Sequence, residues 1–240
     1  RSFYTSFSTL EDALGYIRSM RKDEKNADTK FEILIAGGTY KPSNERTTTA
    51  AVPHDQRLYS FEVPQGVSIY GGFDGTEKYT SGKISFIPGI NYTFDNIESG
   101  DLTDILDKRT YSDFNQNNIL EPWELANQTI LSGQINVSST AQNAYHVVFT
   151  DKGTATTVVP VVLDGLTVMY GQTDNKLSIS IDNNEQGRGG GIYSNGVTYT
   201  ISRCRLLNNT AVRGGAVFVR NANLNLSGCI LAGNKTIKNE

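Results

Sequence analysis

Several residue types that often carry function in small proteins are scarce in this chain. Its 240 residues include two cysteines, one tryptophan, two methionines and two histidines. Two cysteines are too few for the disulfide framework of a small secreted domain. Basic residues are not in excess either, because 22 lysines and arginines face 25 aspartates and glutamates, and the formal charge is −3. A protein that binds nucleic acid through phosphate contacts is normally basic, so the composition argues against nucleic-acid binding.

Long hydrophobic runs are also missing. The richest stretch, residues 158–163, is short and contains a proline, whereas a helix that crosses a bilayer needs about 20 apolar residues. We therefore expect no transmembrane segment in this chain. The sequence begins at Arg1 and has no signal-peptide core near its start. We interpret it as a mature or trimmed piece of a longer chain.

What the sequence does have is an internal repeat with a period of 25 residues, which aligns residues 184–193 with 209–218. The same offset pairs Tyr199 with Leu224, Ile201 with Leu226, Cys204 with Cys229, Leu206 with Leu231, and Asn209 with Asn234. Apolar and polar residues alternate within each unit, which is typical of a strand with one buried face. One unit cannot bury that face alone, but stacked units can. The sequence therefore predicts a parallel β-solenoid in which equivalent residues form columns.

An earlier unit follows the same pattern after an insertion. Residues 163–171 match residues 201–209 at an offset of 38, which is 25 plus 13 extra residues around the polar loop 172–182. Further upstream, four segments have the composition of buried strands. These segments are residues 31–40, 67–73, 130–133 and 146–149.

Residues 8–20 have a helical pattern instead. Ser8 and Glu11 match a capping box, which marks the start of a helix. One face of this predicted helix is apolar, and its members are Leu10, Ala13, Leu14 and Ile17. The end of a solenoid is an unpaired sheet edge that needs a cover, and we expect the helix to cover it.

The glycine-rich and L-x-x-N motifs of the repeat resemble those of polymorphic outer-membrane proteins, a repeat family first named in chlamydiae. These motifs lie at residues 189–192, 206–209, 214–217 and 231–234. Leucine opens the L-x-x-N motif where that family usually has phenylalanine. The N-terminal half resembles the opening of pectin-lyase-like proteins. The residues that carry this second resemblance are 12–14, 36–40, 70–75, 130–133 and 163–168.

Together the two resemblances imply an all-β fold, a right-handed parallel β-helix, at the surface of a cell, as in many large secreted proteins of gut-type Bacteroidetes. They imply no activity, because lyases, hydrolases and adhesins share this fold. We thus predict one β-helix domain over residues 1–240, with a capping helix over residues 8–20 and an insertion over residues 77–128.

The predicted insertion contains a loop that matches a calcium-binding pattern. Residues 113–124 fit D-x-[DN]-x-[DN]-G-x5-E, with Asn118 at the glycine position, where asparagine tolerates the left-handed backbone. The predicted ligands are the side chains of Asp113, Asn115, Asn117, Glu121 and Glu124 and the carbonyl of Ile119. Few of them are charged, so the affinity would be weak, with a Kd on the order of 10⁻⁴–10⁻³ M. The alternative is an asparagine-rich turn followed by a short helix at residues 121–126.

Two further charged groups are candidates for binding. An acidic group recurs at every third residue: Asp101, Asp104 and Asp107. It could bind metal or act in acid–base chemistry, or it could be the solvated face of a helix. Arg188 and Arg213 occupy equivalent positions of the repeat, so we expect them to stack and to bind acidic sugars. In the alternative, each arginine pairs with a nearby acid such as Glu185, because stacked like charges repel.

The cysteines and asparagines of the repeat favour structural roles. Cys204 and Cys229 should stack as free thiols, because in-register side chains point the same way and a disulfide would be strained. Asn209 and Asn234 should form a ladder at a turn that satisfies backbone groups.

Histidines and aromatic residues add no motif of known chemistry. His54 and His146 lie far apart and have no metal-ligand spacing around them. Four aromatic residues could stack on sugar rings, although such residues usually pack within a β-rich protein: Tyr70, Tyr79, Tyr92 and Trp123. The sequence contains no nucleophile motif, phosphate-binding loop or zinc pattern.

The sequence thus favours a monomeric, non-catalytic module of a secreted or cell-surface protein that binds glycans or host surfaces. Calcium is the only cofactor that it suggests. One alternative is a polysaccharide lyase or glycoside hydrolase acting on an acidic polysaccharide, with the insertion as one wall of a groove. Another is a passive structural stalk.

Overall fold

The computed structural model describes residues 7–22, 29–44, 56–75, 78–80, 83–85, 109–118, 121–135, 143–152, 158–173 and 187–237. For residues 78–80 and 83–85 it describes the backbone alone. In chain order, the helix and strands are α1 (Leu10–Met20), β1 (Phe31–Ala36), β2 (Gly38–Tyr40), β3 (Phe61–Glu62), β4 (Val67–Phe73), β5 (Lys78–Thr80), β6 (Lys83–Ser85), β7 (Thr129–Ser132), β8 (Val148–Asp151), β9 (Val161–Asp164), β10 (Leu166–Met169), β11 (Ile192–Asn195), β12 (Tyr199–Ser202), β13 (Arg205–Leu207), β14 (Thr210–Ala211), β15 (Val217–Arg220), β16 (Leu224–Ser227), β17 (Ile230–Ala232) and β18 (Lys235–Thr236).

Three parallel sheets contain most of the described strands. Sheet 1 has the order β1-β4-β9-β12-β16, sheet 2 has the order β2-β7-β10-β13-β17, and sheet 3 has the order β3-β8-β11-β15. A short parallel pair, β14 with β18, adds to the last two repeats, and β5 and β6 form an antiparallel pair between β4 and β7. The predicted all-β class with parallel sheets is therefore confirmed.

The chain visits the three sheets in a fixed order. It passes from a strand of sheet 1 to the next strand of sheet 2 and then to sheet 3. Each of the first four passes adds one strand to each sheet, and the fifth adds β16 to sheet 1 and β17 to sheet 2. We call one such pass a coil. The described residues contain five coils, which begin at β1, β4, β9, β12 and β16. Among these residues, no helix is long and apolar enough to cross a bilayer.

The 25-residue offset is the pairing register of neighbouring coils. Ile192 pairs with Val217, and Tyr199, Ile201 and Leu206 pair with the residues 25 positions later, Leu224, Leu226 and Leu231. The offset of 38 also holds, because Leu163 pairs with Ile201 and Val168 with Leu206. The columns predicted from the repeat are confirmed.

The core lies between the sheets, and α1 contributes to it at the first coil. The predicted apolar face is confirmed, since Leu10, Leu14 and Ile17 belong to the buried cluster formed by the strands. The predicted capping box is wrong. Thr9 is the cap, and its side chain accepts a hydrogen bond from the Asp12 backbone N–H.

The second half of the expected capping box, Glu11, has a different role. Its carboxylate accepts hydrogen bonds from the backbone N–H groups of Ser43 (2.7 Å) and Asn44 (2.8 Å) and from the Ser43 hydroxyl. Glu11 therefore ties the helix to the segment after β2 and does not reach back to cap its own N-terminus.

Candidate functional site: a strap along one corner of the coils

A segment of the predicted insertion lies along the outside of the coils. We call residues 109–127 the strap, which the structure describes over 109–118 and 121–127. Its two limbs are joined by an antiparallel bridge between Tyr111 and Leu125. Backbone hydrogen bonds on either side hold the limbs together, from Ser112 N–H to Glu124 O and from Ala126 N–H to Thr110 O, each at 2.9 Å.

The strap follows the corner at which sheet 1 gives way to sheet 2. It contacts the first two coils through Asn127, which lies against Gly37, and Leu125, which lies against Gly72. At the third coil Leu125 also lies against Gly165, and Arg109 contacts Asp164. Trp123 contacts Arg205 of the fourth coil, and Pro122 lies against Gly228 of the fifth. The approach is close at Gly165, where φ is +69° and a Cβ atom would lie 2.6 Å from Leu125 Cδ1. Such a position requires glycine both for its backbone and for its space. The strap therefore contacts every coil from the first to the fifth.

A buried ion pair anchors the strap at the third coil. Arg109 Nη1 donates to Asp164 Oδ1 at 2.5 Å and to the carbonyl oxygen of Gly71 at 3.2 Å. Asp164 also accepts from Arg203 Nη2 at 2.7 Å and from the Ser202 hydroxyl. Burial acts to raise the pKa of Asp164, but the hydrogen bonds from Arg203, Ser202 and Arg109 outweigh it and lower that pKa. The carboxylate is thus held ionised between two guanidinium groups.

The far end of the strap is the loop that the sequence predicts to bind calcium. Asp113 accepts hydrogen bonds from the backbone N–H groups of Asn117 (3.2 Å) and Asn118 (2.8 Å), and Asn115 Oδ1 accepts from Asn117 N–H at 3.0 Å. Asn118 has a φ of +64°, so the left-handed backbone predicted for it is confirmed. Gln116, with a φ of +57°, adds a second left-handed residue that the motif does not predict. These bonds hold the loop in a compact turn.

Glu124 and Glu121 have contrasting environments in this loop. Glu124 is fully buried, and its carboxylate accepts from the backbone N–H groups of Phe114 (2.9 Å), Asn115 (3.2 Å) and Glu121 (3.1 Å). Glu121 faces the solvent and accepts from the amide groups of Asn117 (2.8 Å) and Asn115 (3.3 Å). Hydrogen bonding, first from Asn117, lowers the pKa of Glu121.

The structure therefore brings five of the six predicted metal ligands into one loop, while Ile119 lies outside the described residues. The helix expected at residues 121–126 in the alternative interpretation is wrong, because a turn closed by Glu124 N–H and Glu121 O stands there. In the part of the chain that the structure describes, no three His, Cys, Asp or Glu side chains are arranged to hold a metal ion. The oxygen donors of Asp113, Asn115, Asn117 and Glu121 are nevertheless of the type that Ca²⁺ prefers.

The outer face of the strap carries aromatic rings beside a guanidinium group. Phe114 and Tyr111 are 41% and 38% exposed. The Arg205 guanidinium lies 5.7 Å from the centre of the Trp123 ring and 6.0 Å from that of Phe114, within reach of a cation–π contact with each. Partial burial lowers the pKa of Arg205, and the nearby Glu124 acts in the opposite direction. We call Phe114, Trp123 and Arg205 the aromatic face.

The predicted arginine ladder is stacked, but its two members differ in exposure. Arg188 and Arg213 form a parallel bridge between neighbouring coils. Arg188 is only 6% exposed and its guanidinium lies 5.2 Å from the centre of the Phe218 ring, whereas Arg213 is exposed. This column therefore does not present both arginines to the solvent.

The predicted roles of the repeat cysteines and asparagines are confirmed. Both cysteines are free thiols, and the Cys204 N–H donates to Cys229 Sγ at 3.4 Å. Asn209 and Asn234 form a ladder, in which Asn209 Nδ2 donates to Asn234 Oδ1 at 3.1 Å. His146 is buried, with Nδ1 3.0 Å from the carbonyl oxygen of Gly189. Other predicted candidates lie outside the described residues: His54, Tyr92, Asp101, Asp104, Asp107 and Glu185.

Sequence reasoning missed the residues that hold the strap in place. Arg109, Asp164 and Arg203 are separated by 55 and 39 positions, so no local spacing connects them. The sequence pattern could have indicated only the orientation of Arg205. This residue precedes the inward-facing Leu206 in the repeat, so the alternation of a strand places it on the outer face.

Comparisons with models of protein families, with curated proteins and with solved structures found no match for this chain. The strap and its aromatic face are therefore the features of this chain that point to a function.

Proposed function

We propose that the chain is a non-catalytic module of a secreted or cell-surface protein and that it binds glycans through the aromatic face of the strap. The observation that carries this proposal is the exposure of Phe114, whose ring lies 6.0 Å from the Arg205 guanidinium while the Trp123 ring lies 5.7 Å from the same group. Aromatic side chains offer a flat apolar surface with a polar edge, which suits the C–H faces and hydroxyl groups of a sugar ring. Arg205 adds a cation that favours an acidic sugar.

Rigidity of the strap supports this assignment. A binding surface loses affinity when its loops must be ordered on binding. Here the Arg109–Asp164 pair is buried, and Leu125 packs closely against Gly72 and Gly165. The aromatic face is therefore held in place before a ligand arrives.

The architecture proposed for this module is a right-handed parallel β-helix, in which the three sheets close around one core. Its support is the fixed order in which the chain visits the sheets and the right-handed sense that parallel crossovers nearly always adopt. The resemblance to pectin-lyase-like proteins and to polymorphic outer-membrane repeats supports the same fold and a location outside the cell.

A glycan array and a retardation gel containing acidic polysaccharide test the function. The parent protein is compared with Phe114→Ala and Trp123→Ala, and Tyr16→Ala is the matched control because Tyr16 is a 40% exposed aromatic residue on α1, away from the strap. We expect the strap variants to bind about tenfold more weakly, as for truncation of a binding hot spot. The control should bind like the parent.

Three other outcomes would contradict the proposal. Equal retention of all variants would place any glycan site elsewhere. Release of reducing ends or of unsaturated sugars would favour the lyase or hydrolase alternative. No retention of any glycan by the parent would favour the passive stalk.

We also propose that the loop of the strap binds calcium. Asp113, Asn115, Asn117 and Glu121 would supply side-chain oxygens and Ile119 its carbonyl, while the fully buried Glu124 shapes the loop through three backbone N–H groups. Calcium would add a positive charge where Glu121 and Asp113 now accept hydrogen bonds from the loop itself. Its role would be to order the loop next to the aromatic face.

A further inference from the structure

At the corner between sheet 1 and sheet 2, one coil has an arginine where its neighbours have glycine. Gly165, Arg203 and Gly228 occupy equivalent positions of the third, fourth and fifth coils, each directly after a paired residue of sheet 1. Their φ angles are +69°, +52° and +55°, a left-handed backbone that glycine adopts freely and that strains a larger residue. The backbone at this corner therefore disfavours Arg203, and contacts of its side chain have to offset that cost.

Only part of the Arg203 guanidinium is used within the protein. Its Nε and Nη2 both donate to the Asp164 carboxylate, at 3.1 Å and 2.7 Å. Its Nη1 has no acceptor among the residues that the structure describes, although the side chain is 34% exposed and this nitrogen is not buried. Asp164 therefore fixes the orientation of the guanidinium and leaves one nitrogen with two N–H donors at the surface.

Arg205 is a second guanidinium with free donors. Within the described part of the chain it forms no ion pair and none of its three side-chain nitrogens has an acceptor, and its Nε is buried. The nearby Glu124 carboxylate does not supply one, because it accepts from three backbone N–H groups of the strap. A partly desolvated cation without a counter-ion is unfavourable, so an anion that reaches its Nη atoms would relieve this cost.

Both guanidinium groups lie on the outer surface of the fourth coil. The residue between them, Cys204, is fully buried in the core, so the alternation of the chain turns Arg203 and Arg205 outward together. Two residues span at most about 7 Å along the backbone. Arg109 already supplies one positive charge to Asp164, so the charge of Arg203 exceeds what that carboxylate can neutralise. Two cations with outward donors are thus held close together.

We propose that Arg203 and Arg205 form a two-point site for a glycan that carries negative charges on neighbouring sugar residues. This inference rests on the proposed function, because it concerns the same side of the strap, and it narrows the ligand to polyanionic glycans. Arg203 Nη1 donates to one carboxylate or sulfate group and Arg205 donates to the next. The rings of Phe114 and Trp123, which flank Arg205, contact the apolar face of the sugar ring.

Calorimetric titration with four ligands tests the requirement for several charges. These ligands are a polyuronate, a sulfated polysaccharide, a neutral polymer of the same length and a single uronic acid. At low salt we expect the polyanions to bind at least about tenfold more tightly than the other two, and added salt to weaken this difference. The tighter of the two polyanions identifies the anionic group, carboxylate or sulfate, that the site prefers.

Two variants and a charge-matched control assign the binding to this site. Arg205→Gln removes a cation that has no ion pair to lose, and Arg203→Lys keeps a cation for Asp164 but lacks the outward Nη1 donors. We expect each to bind the preferred polyanion about tenfold more weakly. Lys30→Gln removes one positive charge at an exposed residue before β1 and should bind like the parent. Urea unfolding of each variant shows that it is folded.

The outcomes separate this inference from the proposed function. Glycan binding by the parent that is equally strong for neutral and polyanionic polymers, or that neither arginine variant weakens, would overturn the two-point site and leave the proposed function standing. An equal loss in Lys30→Gln would also overturn it, because overall charge would then explain the binding. If the parent bound none of the four ligands, the two-point site and the proposed function would both be wrong.

Discussion

Asp164 is a buried acid that is held between two guanidinium groups. It stands at the end of β9, opposite Tyr70 and Ser202 in its column, and it meets Arg109 from the strap. From the sequence it is an ordinary acid before a glycine turn, since its partners come from other coils. Tertiary contacts, and not a local motif, therefore give Asp164 its role.

Replacing Asp164 should destabilise the protein strongly. In Asp164→Asn the Arg109 guanidinium stays buried without its countercharge, so we expect a loss of about 3 to 5 kcal/mol in the free energy of unfolding. Urea unfolding at pH 7 measures it, and Asp151→Asn, at an exposed acid on β8, is the control that should change little. A loss no larger than that of the control would contradict the buried pair.

The same variant should show a defined pH dependence. The pKa of Asp164 is lower in the folded protein than in the unfolded chain, so its contribution is fully present above the unfolded value of about 3.9. It is lost as the pH falls through the lower, folded value. The difference in stability between parent and Asp164→Asn should thus be constant from neutral pH to about pH 5 and should shrink below pH 4.

The two stacked cysteines should differ in reactivity. A hydrogen bond from the Cys204 thiol lowers the pKa of Cys229 to about 6, whereas burial raises that of Cys204 well above its usual value. Alkylation of Cys229 by iodoacetamide should be half-maximal near pH 6, and Cys204 should not react in the folded protein. In Cys204→Ala the profile of Cys229 should move toward the ordinary value of about 8.5. An unshifted profile in the parent would count against the thiol–thiol contact.

At the scale of elements, the sequence predicts the pairing of strands that belong to the repeat and misses the contacts of the strap, which does not repeat. The 25-residue offset predicts the pairing of β12 with β16 and of β13 with β17, because each column must bury like residues. The helix is predicted as well, but its cap is Thr9 and not Ser8, because adjacent residues of similar capping ability cannot be ranked from sequence. The strap is recognisable only through its loop motif, since its anchors lie in other coils.

The loop of the strap should bind calcium weakly. Calorimetric titration of the parent should give a Kd on the order of 10⁻⁴–10⁻³ M. Asp113→Ala should abolish the heat, because Asp113 supplies a charged ligand and also holds the N–H groups of Asn117 and Asn118. Asp151→Ala is the matched control and should titrate like the parent. Equal heats for the parent and Asp113→Ala would remove calcium from this loop.

At the scale of the whole molecule, the coils form a stack in which each contacts its neighbours, and the strap runs along this stack and connects the coils. Coils that touch only their neighbours can open one at a time from an end. The strap changes this, because it joins the corner of the first coil at Gly37 to that of the fifth at Gly228. We therefore expect the fifth coil to owe part of its protection from opening to contacts that are anchored at the third coil.

Releasing the anchor should loosen the fifth coil selectively. In Arg109→Met the buried pair with Asp164 is lost, and the strap can lift from Arg205 and Gly228. Native-state hydrogen exchange of the Ile230 N–H, which donates to the Cys204 carbonyl oxygen, should then speed up about tenfold relative to the parent. The Val161 N–H, between the third and fourth coils, should change less, and Arg213→Met, at an exposed arginine, should change neither. Equal exchange of the Ile230 N–H in the parent and in Arg109→Met would contradict this prediction. The strap would then contribute nothing to the stability of the fifth coil, which would depend on contacts between coils alone.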